Sequence, residues 1–286
     1  MISFKRLDYY KQLMRLDKPI GILLLLWPTL WALWLAAKGA PDSIILWVFI
    51  LGTVLMRSAG CVINDYADQD FDAHVERTKN RPLATRVVSS KEALLLATGL
   101  SFCAFLLILN LNSLTILLSI CALFLAASYP FTKRFFAIPQ AYLGIAFSFG
   151  IPMAFAAQTN AIPVIAWLLM AANLLWVIAY DTEYAIVDKT DDLKIGIKTS
   201  AITFGRFDVA WIMLCHIIFI GLMFCVGQLQ SLGVAYYLSL SIALGLIMYQ
   251  YYLIRDRKPA DCFKAFLHNN WVGAIIFIGI ALDYFI

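Results

Sequence analysis

Residues 20–37 read Ile20-Gly-Ile-Leu-Leu-Leu-Leu-Trp-Pro-Thr-Leu-Trp-Ala-Leu-Trp-Leu-Ala-Ala37, with no charge anywhere in the stretch. A helix needs about 18 to 22 predominantly apolar residues to cross a bilayer core of about 30 Å. This run meets that length and predicts a membrane-spanning helix.

Working outward, the same texture returns along the whole chain. Apolar blocks lie at 20–37, 44–63, 92–110, 113–129, 139–157, 162–180, 208–226, 232–253 and 266–285. Over 286 residues the chain is 62% hydrophobic and 14% charged, with mean hydropathy +0.81. That is too little polar surface to cover a soluble core. Between the third and fourth blocks, Asn110-Leu111-Asn112-Ser113 reads as a tight helical hairpin. The expected fold is all-α and integral to the membrane, with nine transmembrane helices in a single domain over 1–286.

The basic residues set the orientation. They gather before the first block (Lys5, Arg6, Lys11, Arg15, Lys18), around 64–91, at Lys133 and Arg134, after the sixth block, and after the eighth. The opposite connections hold Lys38 alone. The positive-inside rule then puts the amino terminus in the cytoplasm and requires an odd number of spans. Residues 1–18 show no cleavable signal. They predict an interfacial amphipathic helix with Phe4, Leu7, Tyr10, Leu13 and Met14 toward lipid, and they read equally as a positive-inside anchor. Six cysteines without a C-x-x-C spacing read as packing residues. The net charge of +4 reports topology, and no nucleic-acid partner is expected.

Two cytoplasmic segments carry the chemistry. The first is Asn64-Asp65-Tyr66-Ala67-Asp68-Gln69-Asp70-Phe71-Asp72, and the second runs from Asp181 through Asp188 to Asp192. If the second block continues as a helix, Asn64, Asp68 and Asp72 share one face, with Asp65 beside them. Asp188 and Asp192 form a similar pair, with Asp181 two turns earlier. Like charges at that spacing weaken a helix, so a cation belongs between them. All the donors are oxygens, which favours Mg²⁺ over Zn²⁺. Magnesium is commonly held by a few carboxylates and completed by substrate phosphates, so two such clusters imply a diphosphate.

Either acidic segment alone also reads as solvated charge; the pairing argues for a site. Lys133, Arg77, Arg81 and Lys198 lie on the same side and are candidate diphosphate contacts, although each alone also reads as a topology signal. Arg57 sits two helical turns deeper than Asn64 on the same face, where a charge is costly unless paired or facing a cavity. Its fork suits a carboxylate. Transporters, the competing class, usually bind near the midplane, whereas these acids cluster at one mouth. The two segments lie four spans apart, so the chain could comprise two related four-helix units plus a ninth helix.

With Arg77-Thr-x-x-Arg81-Pro-Leu, the first segment resembles the first aspartate-rich motif of the UbiA superfamily of intramembrane prenyltransferases. Tyr180-Asp-Thr-x-Tyr-Ala-x-x-Asp188-x-x-x-Asp192-x-x-x-Gly196-x-Lys198 resembles the second. Arg15-Leu-Asp-Lys-Pro-Ile-Gly and Tyr129-Pro-x-x-Lys133 extend the likeness over essentially the whole chain. The resemblance implies nine helices around an active site open to the cytoplasm and laterally to lipid. It also implies two Mg²⁺ ions held by Asn64, Asp68, Asp72, Asp188 and Asp192, with Asp65 as a further candidate ligand. Arg15, Arg77, Arg81, Tyr129, Lys133 and Lys198 are the implied substrate contacts. The flanking sequence is most similar to the branch whose substrates are a polyprenyl diphosphate and 4-hydroxybenzoate, joined ortho to the hydroxyl in ubiquinone biosynthesis. The implied location is the bacterial inner membrane.

Overall fold

The computed structural model describes residues 4–286, with side chains from Arg6 onward, so the expectation for Phe4 lies outside the described side chains. Among the described residues all regular structure is helical. The order is α1 (Phe4–Leu13), α2 (Ile20–Ala36), α3 (Ser43–Asp72), α4 (Ser90–Ile108), α5 (Ser113–Ser128), α6 (Pro139–Ser148), α7 (Gly150–Thr159), α8 (Val164–Ile195), α9 (Ser200–Phe204), α10 (Asp208–Leu229), α11 (Val234–Ile254) and α12 (Pro259–Phe285). A 3₁₀ turn, Tyr129–Arg134, follows α5.

Eight helical segments are long and apolar enough to cross a membrane: 43–72, 90–108, 113–134, 139–159, 164–195, 200–229, 234–254 and 259–285. The remaining apolar block is α2, whose 17 residues give about 25 Å at 1.5 Å per residue.

Local chemistry explains several of the helix ends. Asp42 opens α3 by accepting from the backbone N–H of Ile44 and Ile45, and Ser89 with Glu92 forms a capping box on α4. In the hairpin between α4 and α5, Asn112 caps α5 through the Thr115 N–H. Its own amide donates to the Ala156 carbonyl at 2.7 Å, tying the hairpin to α7. Gly196, at φ +74, closes α8 in the left-handed region that glycine tolerates.

The block at 139–157 was expected as one helix. It breaks at Phe149, because Pro152 cannot donate the helical hydrogen bond to Ser148.

Most of the apolar side chains expected toward lipid on the N-terminal helix turn to protein instead. Leu13 is fully buried with Val62, Leu83 and Val88, and Tyr10 and Met14 pack against the same cluster. Leu7 alone of the described set stays exposed. The helix is pinned to α4 by Arg6 and Tyr10, both donating to the Glu92 carboxylate.

From α2 to α12 each spanning segment packs on its successor, and α12 closes the ring on α2. One half of the ring is filled by large rings: Trp176 meets Trp31 and Phe219 at centroid distances of 5.4 and 5.7 Å. This half also holds a buried polar chain. Trp176 Nε1 donates to Asn269 Oδ1 (2.8 Å), and Asn269 Nδ2 donates to Glu183 Oε2 (2.8 Å). His216 Nε2 lies 3.7 Å from Glu183 Oε1. The chain fixes the register of α8 against α10 and α12. Asn269→Leu strands two buried partners and should cost about 3 kcal/mol. A fall in the thermal midpoint of the detergent-solubilised protein checks this; an unchanged midpoint would contradict it.

The other half of the ring is not filled. It encloses a cavity of about 1160 Å³ bounded by α1 to α8 and the start of α12.

Candidate active site

The cavity has a charged mouth and an apolar depth, both dictated by α3. This helix runs 30 residues without interruption, about 45 Å at 1.5 Å per residue, so it carries its acidic end beyond the bilayer core. The aspartates therefore sit on helix rather than on a loop. The same holds for α8, which spans 32 residues and continues through Asp181, Asp188 and Asp192. Both acidic ends meet in one cavity wall.

Basic residues from three other segments lie among these acids. Lys133, in the 3₁₀ turn after α5, donates to Asp68 Oδ2 at 2.7 Å and Asn64 Oδ1 at 3.2 Å. Arg81, in the loop after α3, donates to Asp72 at 2.7 Å and Asp65 at 3.0 Å. Arg15, just past α1 at φ +55, donates to both oxygens of Asp65 at 2.7 and 2.8 Å. Arg77 bridges to the opposite cluster, with its Nε 3.0 Å from Asp188 Oδ1 and its guanidinium 4.6 Å from the Tyr184 ring centroid. Burial opposes the Arg77 charge, but Tyr184 and Asp188 outweigh it and hold the guanidinium above its ordinary pKa. The same balance, set by Asp65 and Asp72, raises Arg81.

The structure thus gathers Arg15, Asn64, Asp65, Asp68, Asp72, Arg77, Arg81, Tyr129, Lys133, Asp188 and Asp192 around one opening, with Arg57 further in. Two placements differ from the sequence expectation. Both Asp65 oxygens are taken by arginines and the residue is 1% exposed, so it reads as an anchor for Arg15 and Arg81. Lys198 does not line the cavity: its Nζ donates to the Phe135 carbonyl at 3.2 Å. Its backbone N–H donates to the Lys133 carbonyl at 3.1 Å, which holds the lysine-bearing turn in place.

Sequence reasoning gave no role to Asp181, Tyr184 and Gln140, which also line the wall. Asp181 carried a signal, since it shares the helical face of Asp188. Gln140 carried none; its Oε1 accepts from the Ser200 N–H at 2.9 Å across the fold.

By type, the donors suit a hard divalent cation: Asn64, Asp68 and Asp72 offer oxygens on one wall and Asp188 and Asp192 on the other. Lys133, Arg81 and Arg77 occupy Asp68, Asp72 and Asp188, and among the described residues no three carboxylates converge into a formed metal site. Asp192 is buried, yet among the described residues its carboxylate has neither an ion-pair nor a hydrogen-bond partner. Of the charged residues lining the cavity, eight are acidic and six basic, so the wall has room for added positive charge.

Behind the mouth, Arg57 is the one charge in the inner part of α3. Its Nε is buried without a hydrogen-bond partner among the described residues. Its guanidinium lies 5.5 Å from the Phe147 ring centroid. It presses so closely on Gly21 that a Cβ there would meet it at 2.5 Å. Beyond Arg57 the wall is apolar, with Phe49, Ile108, Phe149 and Met153 at depth.

Facing carboxylates at the mouth of a deep apolar cavity define an intramembrane site for a substrate with an anionic head and an oily tail. The chain belongs to the UbiA prenyltransferase family, whose model matches residues 25–273.

It is 73% identical over 286 residues to the 4-hydroxybenzoate octaprenyltransferase of Nitrosospira multiformis, covering 100% of this chain and 99% of that protein. The 4-hydroxybenzoate octaprenyltransferase of Nitrosomonas europaea is 70% identical, over 97% of this chain and 95% of that one. Among solved structures, the apo form of a UbiA homolog from Aeropyrum pernix K1 superposes with a TM-score of 0.80 at 27% identity, covering 92% and 97% of the two chains. A UbiA homolog from Archaeoglobus fulgidus bound to GPP and Mg²⁺ shares the fold, with a TM-score of 0.71 at 18% identity and 96% and 99% coverage.

Proposed function

We propose that this protein transfers a polyprenyl chain from its diphosphate to the ring of 4-hydroxybenzoate, ortho to the hydroxyl, as a step of ubiquinone biosynthesis. One observation carries the reading: two facing carboxylate clusters, interleaved with Lys133 and Arg77, stand at the mouth of a cavity whose depth is apolar. The relatives' names supply the acceptor.

Each part of the wall has a task. Asn64, Asp68 and Asp72 on one side and Asp188 and Asp192 on the other would hold Mg²⁺, which, when bound, neutralises the leaving diphosphate. Lys133, Arg77 and Arg81 contact the diphosphate oxygens, with Arg15 holding Asp65 behind them and Lys198 supporting the Lys133 turn. The allylic C–O bond breaks with its electron pair leaving on the diphosphate, and the resulting cation lies near Tyr129 and Tyr184. The acceptor ring forms the new C–C bond and gives up its ring proton to a carboxylate or to the released diphosphate. Arg57 pairs with the acceptor's carboxylate. The apolar depth holds the prenyl tail and keeps out water, which would quench the cation.

The tail also accounts for the membrane setting. At about 0.8 kcal/mol per buried CH₂, a chain of tens of carbons stays in lipid, and the enzyme meets it there. We place the protein in the bacterial inner membrane. With α2 as a ninth span, the amino terminus and the cavity mouth are cytoplasmic, and the chain reads as two four-helix units plus one.

The test is a membrane assay with radiolabelled 4-hydroxybenzoate, a polyprenyl diphosphate and Mg²⁺, with and without EDTA. A lipid-extractable product that disappears with EDTA is expected. Product only with another aromatic acceptor would move the substrate. No transfer to any acceptor would overturn the reading.

A further inference from the structure

The prenyl-binding depth is shaped most directly by α3. The residues Phe49, Gly52, Met56, Gly60, Asn64 and Asp68 recur every three or four positions and all line the cavity, so one face of one helix runs from the diphosphate end into the apolar depth. One turn beyond Gly52 the wall carries Phe49, which with Ile108 and Met153 is 6%, 8% and 8% exposed and belongs to one hydrophobic cluster.

Gly52 differs from the glycines that are small because something presses on them. A Cβ at Gly21 would meet Arg57, and one at Gly273 would meet Trp27 and Trp176, whereas a Cβ at Gly52 would meet nothing within 4 Å. Since Gly52 lines the cavity, that free space is the cavity itself. A methyl added there enters that space without displacing the wall, larger side chains reach further into it, and none costs the helix, because glycine is the poorer helix former.

Gly60 is equally open, but it lies one turn from Asn64 and would obstruct every substrate alike. Position 52 lies sixteen residues from Asp68, about 24 Å along the helix at 1.5 Å per residue. An extended isoprene unit advances about 5 Å, four carbon–carbon bonds of ~1.5 Å seen in projection. The distance therefore corresponds to about five units.

Resting on the function proposed above, we infer that Gly52 governs how long a prenyl chain the enzyme accepts, by leaving the α3 wall open where the fifth unit of a longer chain would pass. Chains of two or three units end short of it. Chains beyond about five units pass it.

The experiment compares kcat/KM for farnesyl diphosphate and octaprenyl diphosphate within single preparations of wild type, Gly52→Ala, Gly52→Leu and Gly52→Phe. The ratio of the two values is independent of how much protein is correctly folded. The octaprenyl-to-farnesyl ratio should fall with side-chain size, by about tenfold or more in Gly52→Phe. Gly221→Phe is the control, because that glycine has equal free space but lies on an exposed face outside the cavity. It should leave the ratio unchanged.

If Gly52→Phe transfers no chain of either length, the alanine and leucine variants give the same readout. A ratio constant across the series, or one that falls as far in Gly221→Phe, overturns the inference. Wild type failing to use either diphosphate would instead remove the underlying functional reading.

Discussion

Asp68→Ala should lower prenyl transfer by about a thousandfold while the protein still inserts into the membrane. Asp68 lies at the centre of the α3 cluster, one turn from Asn64 and one from Asp72. It is 6% exposed and holds Lys133 at 2.7 Å. Its removal has two consequences in the proposed site. The α3 wall loses its central carboxylate for the cation. Lys133 also loses the partner that aims it at the diphosphate, leaving only the longer contact to Asn64. Asp188→Ala removes the corresponding group on α8 and frees Arg77 from its bidentate partner, so it should be comparably damaging. Both residues lie on helical extensions near the mouth, outside the packed cores that hold the bundle together, so folding should survive. The check is kcat in membranes containing equal amounts of each variant, alongside the thermal midpoint in detergent. Retained activity in both variants would sink the idea that facing carboxylates hold the metal.

Much of this site could be read before any coordinates because it rests on helical periodicity. Once α3 and α8 are continuous, the spacing of Asn64, Asp68 and Asp72 and of Asp188 and Asp192 forces each set onto one face. The apolar blocks were legible for a similar reason, since bilayer thickness fixes their length. Side-chain direction across the fold was not legible. Sequence spacing put Asp65 with the candidate ligands, but Arg15 arrives fifty residues earlier in the chain to claim it. Lys198 was placed at the diphosphate by resemblance, yet the turn at Gly196 sends its side chain to the Phe135 carbonyl and leaves only its backbone near Lys133.

Leu13 was misread because a short helix on a membrane surface and one docked on protein both show an apolar face. The choice depends on Val62, Leu83 and Val88, which no local pattern links to it. The Glu183–His216–Asn269 chain was hidden for the same reason. Its members come from α8, α10 and α12: Glu183 sits among the acids of the second segment, Asn269 lies between His268 and Asn270, and His216 is alone on an apolar helix, so no local pattern links them.

Arg57→Ala should raise KM for 4-hydroxybenzoate by about a hundredfold, in line with the 2–5 kcal/mol lost when one partner of a buried charge pair is truncated. The residue lies seven positions before Asn64, about 10 Å deeper at 1.5 Å per residue, in a wall that is otherwise turning apolar. A guanidinium placed there costs several kcal/mol unless it meets a partner. Among the described residues it has the Phe147 ring and the space left by Gly21, but no carboxylate within salt-bridge distance, and its Nε is left without an acceptor. A half-buried arginine whose Nε has no partner, facing a substrate cavity, fits an anion that arrives with the substrate. The diphosphate has its own contacts at the mouth, which leaves the acceptor's carboxylate. Lysine should not restore binding, because a point charge cannot reproduce the planar two-pronged contact. The decisive comparison uses phenol, which has the reacting ring and hydroxyl but no carboxylate. Wild type should prefer 4-hydroxybenzoate to phenol strongly, and Arg57→Ala should lose most of that preference while KM for the prenyl diphosphate changes little. If the variant loses both acceptors in equal proportion, Arg57 supports the cavity wall and the carboxylate is held elsewhere.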